Sequence, residues 1–268
     1  LHDIEVFRTV VFPEYVAYYK DELKGYKIKN DDILITDEIT GKKLIWILKD
    51  KVKDFWQQGL SAVEYIGKAI KYIAVKEVSD IMDYNDVNKY VEKVIENNSF
   101  LVDNIIPDFI TASDLKYLLT CLIREKVSVK NIVYIFEKIN DYANEPTKDD
   151  LLDKVRLALS KHIIKDLAKD GELKVIEFSE ELLDKIYAFF KEDEEDTIIR
   201  IESKEVQEIA DKIVKFAKNK KITKPVIVVP MDIRHMVFVI FSEFIQDLTV
   251  LAHEELVSDY DIKFVGKV

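Results

Sequence analysis

The sequence predicts a mixed α+β protein built from several subdomains. Residues 111–163 hold three consecutive helical patterns, in which apolar residues recur at i, i+3, i+4 and i+7. Short strand-like runs precede this block in residues 25–58, and strand-like and helical runs alternate from Leu173 onward. This order predicts helices in the middle of the chain, with strands on both sides of them.

The first third of the chain predicts strands and a helix. Ile4 and Val6 alternate with polar neighbours, which indicates an early strand. The runs 33–36 and 44–48 predict two further strands, joined by a turn whose composition, Asp37 to Gly41, is typical of such connections. We also expect a short polar helix over residues 49–58, ended by Gly59, and a helix carrying the apolar stripe of residues 69–81.

The central helices carry explicit start signals. Thr111 and Thr147 each stand three residues before an aspartate, Asp114 and Asp150, which is the capping-box spacing. A preceding helix is predicted in residues 86–110, with a break at 97–99 where two asparagines and a serine follow one another. We therefore expect helices to begin just after the two threonines.

The last hundred residues predict an α/β unit. The predicted strands are 173–178, 197–201, 226–229, 249–251 and 262–265, and the predicted helices are 180–190, 203–220 and 233–245. The charge run KEDEED, residues 191–196, lacks the glycine and ligand spacing of a calcium loop and predicts a solvated loop.

Composition excludes several classes of function. The net charge is −11, which argues against nucleic-acid binding driven by phosphate neutralisation. Cys121 is the only cysteine, so no intrachain disulfide exists, and we expect a buried apolar role for it. The most apolar run, residues 236–245, is far shorter than the roughly 20 residues that a membrane span needs.

Two long segments resemble a known family. LKYLLTCLIREKVSVKNIVYIFEKINDYA followed by TKDDLLDKVRLALSKHI resembles the cytoplasmic domain of the FlhA/LcrD/InvA (FHIPEP) family, the export-gate membrane proteins of type III secretion systems. The residues that fit the family pattern there are Leu115, Leu118, Leu119, Leu122, Arg124, Glu125, Val127, Val129, Asp141, Tyr142, Ala143, Thr147, Lys148, Asp149 and Leu152. The tail from Pro225 to Val268 is also similar to the family's tail, and the resemblance is weakest in residues 1–75.

The resemblance implies four subdomains. Residues 1–20 and 59–82 would form the first, truncated at its N-terminus, with residues 21–58 inserted as a small second subdomain. Residues 83–164 would form a helical third subdomain and residues 165–268 a C-terminal α/β subdomain. Because the chain starts at Leu1 rather than at methionine, we expect a fragment that lacks the family's membrane half.

The resemblance also implies a function without catalysis. Nine copies would form a ring at the cytoplasmic face of the bacterial inner membrane, dock export substrates with their secretion chaperones, and pass them to the membrane channel. The implied partners are those chaperone–substrate complexes, the export ATPase complex and other export-gate proteins. The resemblance implies no cofactor, no metal, no catalytic residue and no nucleic acid.

Three positions are the candidate docking site for chaperones and substrates. In the flagellar branch of the family, chaperones dock in an apolar dimple built from an acid, a phenylalanine and a threonine. The resemblance places Asp37 at the acid, Thr40 at the phenylalanine and Lys71 at the threonine. Two of these positions are therefore more polar or charged than in the family, which predicts altered partners and leaves a flagellar or an injectisome gate open.

Two other classes of protein remain as alternatives. Asp232, Arg234 and His235 follow a predicted strand, a place where many α/β enzymes hold catalytic groups. The structural interpretation is that Asp232 caps the following helix and Arg234 pairs with a nearby acid. No G-x-G-x-x-G, Walker A or H-E-x-x-H motif accompanies these residues. The other alternative is a helical scaffold without an export role.

Overall fold

The structure is a computed structural model that describes residues 1–23, 25–52, 59–103, 105–193, 196–199 and 203–268. It divides into two compact units, Leu1–Asp83 and Tyr84–Val268, here called the N-terminal unit and the C-terminal unit. Among the described residues, no helix combines the length and the apolar character that crossing a membrane requires.

The N-terminal unit is a four-stranded antiparallel sheet covered by one helix. The strands are β1 (Tyr15–Tyr19), β2 (Ile33–Thr36), β3 (Lys43–Leu48) and β4 (Leu60–Ser61), in the order β2-β3-β1-β4. The helices are α1 (Ala62–Lys76), started by a Ser61/Glu64 capping box, and the short α2 (Val78–Ile81).

The sheet buries both of its faces. On one face, Ala17, Leu44 and Trp46 pack against Tyr65 and Ala69 of α1. On the other face, a second cluster contains Val16, Tyr18, Leu23, Ile45, Ile47 and Val52. Because side chains alternate between the faces of a strand, the continuous apolar run of β3 supplies both cores.

The predicted early strand around Ile4 is wrong. Residues 4–14 form no strand, and Ile4 and Val6 are exposed. A strand needs a neighbour that accepts its backbone hydrogen bonds, and this segment instead reaches the core only through Phe7, Val11 and Phe12. The strands predicted at 33–36 and 44–48 are confirmed as β2 and β3.

The segment after β3 is only partly described. It begins as a 3₁₀ turn, Lys49–Lys51, where we predicted a polar helix, and residues 53–58 of that prediction lie outside the described residues. Packing explains why residue 59 is a glycine, which the sequence alone did not show. A Cβ at this position would collide with the side chains of Val16 and Tyr18.

The predicted subdomains 1 and 2 share a sheet. Strands β1 and β4 come from the residues assigned to the first subdomain, whereas β2 and β3 come from the residues assigned to the insert. The division into four subdomains stays a prediction.

The C-terminal unit begins with four helices, α3 (Tyr84–Asp103), α4 (Ala112–Arg124), α5 (Ile132–Asp141) and α6 (Lys148–Leu167). The two predicted helix starts are confirmed, because the Thr111 and Thr147 hydroxyls accept hydrogen bonds from the backbone N–H of Asp114 and Asp150. The predicted break in α3 is a kink at Asn98, with φ −143° and ψ 47°, rather than an end. Cys121 is buried as expected, and burial raises its pKa to about 12.

The rest of this unit is a parallel sheet with helices. The elements are β5 (Glu172–Glu177), α7 (Glu180–Phe189), β6 (Phe190–Asp193), β7 (Asp196–Ile199), α8 (Ser203–Asn219), β8 (Val226–Val229), α9 (Met231–Ser242), β9 (Thr249–Ala252) and β10 (Asp261–Lys267). The parallel order is β10-β5-β8-β9. The mixed α+β class predicted from the sequence is confirmed.

The charge run is not a simple loop. Its residues Lys191–Asp193 belong to β6, which pairs antiparallel with β7. The prediction of a loop is wrong for these residues, because charged side chains do not prevent the backbone from pairing in a two-stranded hairpin. Residues 194–195 lie outside the described residues.

Candidate functional site

The turn between β2 and β3 holds the first candidate docking residue. The backbone N–H of Asp37 donates to the Lys42 carbonyl at 2.8 Å, and the N–H of Gly41 donates to the Asp37 carbonyl at 2.7 Å. Gly41 has φ +65°, in the left-handed region that glycine adopts without steric cost. These two bonds close the hairpin that the sequence predicted.

The Asp37 carboxylate is fully buried and accepts four hydrogen bonds. Its Oδ1 accepts from the Tyr65 hydroxyl at 2.7 Å and from the Ile39 N–H at 3.1 Å. Its Oδ2 accepts from the Tyr19 hydroxyl at 2.7 Å and from the Thr40 hydroxyl at 2.6 Å. Asp37 therefore ties the turn to β1 and to α1.

Electrostatics keep this carboxylate ionised. Burial raises the pKa of Asp37, but the hydrogen bonds from Thr40, Tyr65, Tyr19 and the Ile39 N–H outweigh it, so the pKa lies below its ordinary value. Burial, together with the neighbouring carboxylate, raises the pKa of Tyr65 to about 12. The turn thus contains a stable negative charge surrounded by neutral donors.

A lysine partly balances the charge of Asp37 through the intervening Tyr19 hydroxyl. The ammonium of Lys68 donates to the Tyr19 hydroxyl and lies 4.8 Å from the centre of the Tyr19 ring. Burial, and then the hydrogen bond to Asp37, raise the pKa of Tyr19. The sequence did not predict these contacts of Tyr19, Tyr65 and Lys68, because no local pattern links the three residues to the turn.

The three predicted docking residues do not form one cluster. Asp37 and Thr40 are joined directly, and the half-buried Thr40 hydroxyl is committed to the carboxylate. Lys71 is exposed on α1, and among the described residues no hydrogen bond or ion pair joins its side chain to Asp37 or Thr40. Asp37 and Thr40 hold the turn in shape, whereas Lys71 is available to a partner.

A groove of about 510 Å³ lies beside this turn. We call it the N-terminal groove, and its lining is Glu5, Val6, Phe7, Arg8, Glu38, Tyr72, Ile73, Lys76 and Glu77. The rings of Phe7 and Tyr72 meet edge to face at 6.3 Å. Sequence periodicity gave no signal for this groove, since one wall is an irregular segment. Two lining residues, Glu38 and Tyr72, directly follow Asp37 and Lys71 in the chain, so the groove adjoins these two predicted docking positions.

The Asp232 to His235 turn lies in the C-terminal unit. Asp232 does not cap α9, whose N-cap is Pro230; it accepts a hydrogen bond from the Tyr187 hydroxyl at 2.9 Å. The capping prediction is wrong, because α9 begins at Met231 and Asp232 therefore lies inside the first turn rather than at the N-cap. His235 places Nδ1 at 3.1 Å from Glu125 Oε1 and Nε2 at 3.3 Å from the Tyr117 hydroxyl.

Arg234 is fully buried between two acids, so its predicted pairing is confirmed. It donates to Glu125 Oε2 at 2.5 Å and to Asp153 Oδ1 at 2.8 Å. Arg156, also buried, lies 2.7 Å from Glu125 and 3.0 Å from Glu255. The buried ion cluster consists of the buried Glu125, Arg156, Arg234 and Glu255 together with the partly buried Asp153 and His235, and it joins α4, α6 and α9 to the segment after β9.

The cluster shifts the ionisation of its acids in opposite directions. Burial raises the pKa of Glu125, but the positive charges of Arg156 and Arg234 outweigh it and bring the pKa to about 2. For Asp153, burial outweighs the attraction of Arg234, so its pKa is raised.

Glu125 predicts a pH dependence of stability. The pKa of Glu125 is lower in the folded protein than in the unfolded chain. The ionised carboxylate therefore stabilises the fold above the ordinary pKa of glutamate, and this stabilisation is lost as the pH falls toward 2. We expect Glu125→Gln to be less stable than the original chain at pH 7. The difference between their free energies of unfolding should shrink by about 3 kcal/mol as the pH falls to 2. Urea unfolding followed by circular dichroism measures this. Glu137→Gln, at an exposed position on α5, is the control. A stability difference between Glu125→Gln and the original chain that stays the same at every pH would contradict the expectation.

Comparison with known proteins agrees with this fold. The profile of the FHIPEP family matches residues 1–261. The flagellar biosynthesis protein FlhA of Bacillus subtilis (strain 168) is 24% identical over 93% of this chain, which spans 41% of that protein. FlhA of Caulobacter vibrioides is 26% identical over 52% of this chain and 21% of its own length.

Solved structures share the fold at low identity. The MxiA protein of Shigella flexneri has a TM-score of 0.74 and 18% identity, covering 96% of this chain and 79% of its own. The nonameric SctV-C of EPEC has a TM-score of 0.74 and 16% identity, covering 100% and 82%. Since the family profile matches nearly the whole length, the resemblance seen in residues 115–152 is confirmed, and the chain belongs to the FHIPEP family.

Proposed function

We propose that this chain is the cytoplasmic domain of a type III protein export gate. In this role it docks export substrates with their chaperones and passes them to the membrane channel. The observation that carries the proposal is the family match over residues 1–261. The fold shared with MxiA and with SctV-C supports it independently of sequence identity.

We propose that the domain works as a ring, by analogy with its neighbours. The SctV-C structure of EPEC and the EscV cytosolic domain from the type III secretion system are nonameric, and the Chlamydia pneumoniae CdsV protein has been solved in complex with CdsO. A ring converts weak single-site contacts into a high local concentration of partner. The export ATPase complex and other gate proteins are proposed partners, at the cytoplasmic face of the bacterial inner membrane.

Docking is proposed at the surface formed by Lys71, Glu38 and the N-terminal groove. Asp37 and Thr40 act there as positioning residues, since their polar groups already bond to each other and, for Asp37, to Tyr19 and Tyr65. The groove combines the apolar Phe7 and Tyr72 with a charged rim. Such a surface suits a partner that inserts an apolar side chain and carries complementary charges around it.

Charge reversal at this surface tests the proposal. We expect the double variant Glu38→Lys with Lys71→Glu to bind a purified export chaperone–substrate complex from the same organism about tenfold more weakly, because like charges then face each other at the rim. Isothermal titration calorimetry gives the Kd. Both residues are exposed, so the fold is retained.

The matched control changes the same charges elsewhere. Glu92 and Lys93 are exposed on α3, and the double variant Glu92→Lys with Lys93→Glu has the same net charge as the test variant. It should bind as the original chain does. Equal weakening in both double variants would count against docking at Lys71.

A further inference from the structure

A second groove, of about 400 Å³, lies within the C-terminal unit. It is bounded by the connection from α4 to α5, by the C-terminal half of α6, and by the starts of β8 and β9. We call it the lysine groove. None of its lining residues belongs to the N-terminal unit, so it is distinct from the proposed docking surface.

The floor of the lysine groove is apolar. Val127, Ile135, Leu159 and Ile163 line it with buried side chains. Tyr134 and His162 stand at its wall with ring centres 5.8 Å apart. A floor of this composition favours an apolar side chain over a hydrated ion.

The rim of this groove is positively charged. Lys126, Lys130, Lys165 and Lys224 line it, and Lys126 is paired with Asp247 at 2.5 Å. The other three are exposed, and none of them forms an ion pair with another described residue.

The acids in the lining do not cancel this charge. Glu125 is already held by Arg156 and Arg234, and Asp247 by Lys126. Asp166 remains, against the three ammonium groups that pair with no acid in the part of the chain that the structure describes. The groove is therefore a local positive site in a chain whose net charge is −11.

We propose that the lysine groove binds an acidic amphipathic peptide segment of a partner protein. An apolar side chain of that segment lies on the floor, and carboxylates on either side of it pair with Lys130, Lys165 and Lys224. Lys130 precedes α5, Lys165 lies on α6 and Lys224 precedes β8, so the three lysines come from separate parts of the lining and can meet carboxylates on both flanks of one apolar residue. Desolvating the apolar side chain supplies affinity, and charge complementarity supplies selectivity.

The test uses the whole chain and a defined probe. The probe is a fluorescein-labelled synthetic peptide that alternates glutamate and leucine, and fluorescence anisotropy gives its Kd. We expect saturable binding, and binding at least about tenfold weaker for a glutamine–leucine peptide and for a polyglutamate peptide of equal length. Absence of saturable binding, or equal binding of polyglutamate, would overturn the proposal.

Matched variants locate the binding. Lys130→Glu with Lys165→Glu should raise the Kd about tenfold or more, because two favourable contacts become repulsive. Lys212→Glu with Lys215→Glu changes the same number of exposed charges on α8 and should leave the Kd unchanged. Circular dichroism confirms that both double variants are folded. Equal loss in the two variants would mean attraction to the whole surface and would reject the groove as the site.

Discussion

Replacing Arg234 by alanine is expected to lower the free energy of unfolding by about 3–5 kcal/mol. The guanidinium is fully buried and is paired with Glu125 and Asp153. Its removal leaves Asp153 without its hydrogen-bond donor and removes one of the two guanidinium groups that hold the Glu125 charge in the interior. Burying an uncompensated charge is among the most destabilising single changes known for folded proteins.

Urea unfolding followed by circular dichroism measures this effect. The C-terminal unit contains the long helices α3 and α6, so its unfolding dominates the helical signal. Arg124→Ala is the control, because Arg124 is partly exposed and lies 4.0 Å from Glu243. Its loss should cost less than about 1 kcal/mol. Equal effects of the two changes would show that the buried ion cluster does not stabilise this unit.

Replacing Asp37 by alanine is expected to destabilise the N-terminal unit by about 3 kcal/mol. The change leaves the Ile39 N–H and the hydroxyls of Tyr19, Tyr65 and Thr40 without their shared acceptor. A buried donor that loses its partner pays its full desolvation cost. The turn and its links to β1 and α1 then loosen together.

Tryptophan fluorescence reports this change. Trp46 is fully buried and meets the Tyr65 ring edge to face at 5.8 Å. Glu38→Ala is the control, since Glu38 is the exposed neighbour of Asp37. Asp37→Asn should be intermediate, because an amide oxygen still accepts hydrogen bonds but carries no charge. If the unfolding midpoint falls as far in Glu38→Ala as in Asp37→Ala, the result would contradict the role of the Asp37 carboxylate in holding the turn.

This role of Asp37 affects how docking experiments are interpreted. Loss of chaperone binding in Asp37→Ala would follow from a disturbed turn as well as from a lost contact. Lys71 does not have this ambiguity, because its side chain is exposed on α1 and the turn does not depend on it. Variants at Lys71 therefore separate recognition from stability.

Local signals in the sequence predicted much of the fold. The starts of α4 and α6 were correct because a capping threonine and its aspartate lie within one helical turn. The strand 226–229 was correct because a short, fully apolar run followed by proline leaves few alternatives. Long helices with one apolar face are specified largely by their own residues.

The errors have tertiary causes. Ile4 and Val6 alternate with polar residues, but the segment pairs with no neighbouring strand among the described residues. Asp232 accepts a hydrogen bond from Tyr187 on α7 and does not cap α9. Composition predicted the turn at Asp37, and the resemblance placed Asp37 at the family's acid, but neither showed that the carboxylate is buried. Its donors Tyr19 and Tyr65 lie far away in sequence and converge only when the sheet and α1 pack. For the buried ion cluster, the sequence predicted only that Arg234 pairs with an acid, because the acids Glu125 and Asp153 lie far from it along the chain.

Site-specific photo-crosslinking in cells of the source organism tests the central claim most directly. A photoreactive amino acid is placed at position 71 and, as control, at position 93, and the crosslinked partners are identified by mass spectrometry. Docking of export cargo at this surface predicts crosslinks to secretion chaperones or their substrates from position 71 and none from position 93. Export cargo crosslinked from neither position, or equally from both, would contradict docking at the surface formed by Lys71, Glu38 and the N-terminal groove.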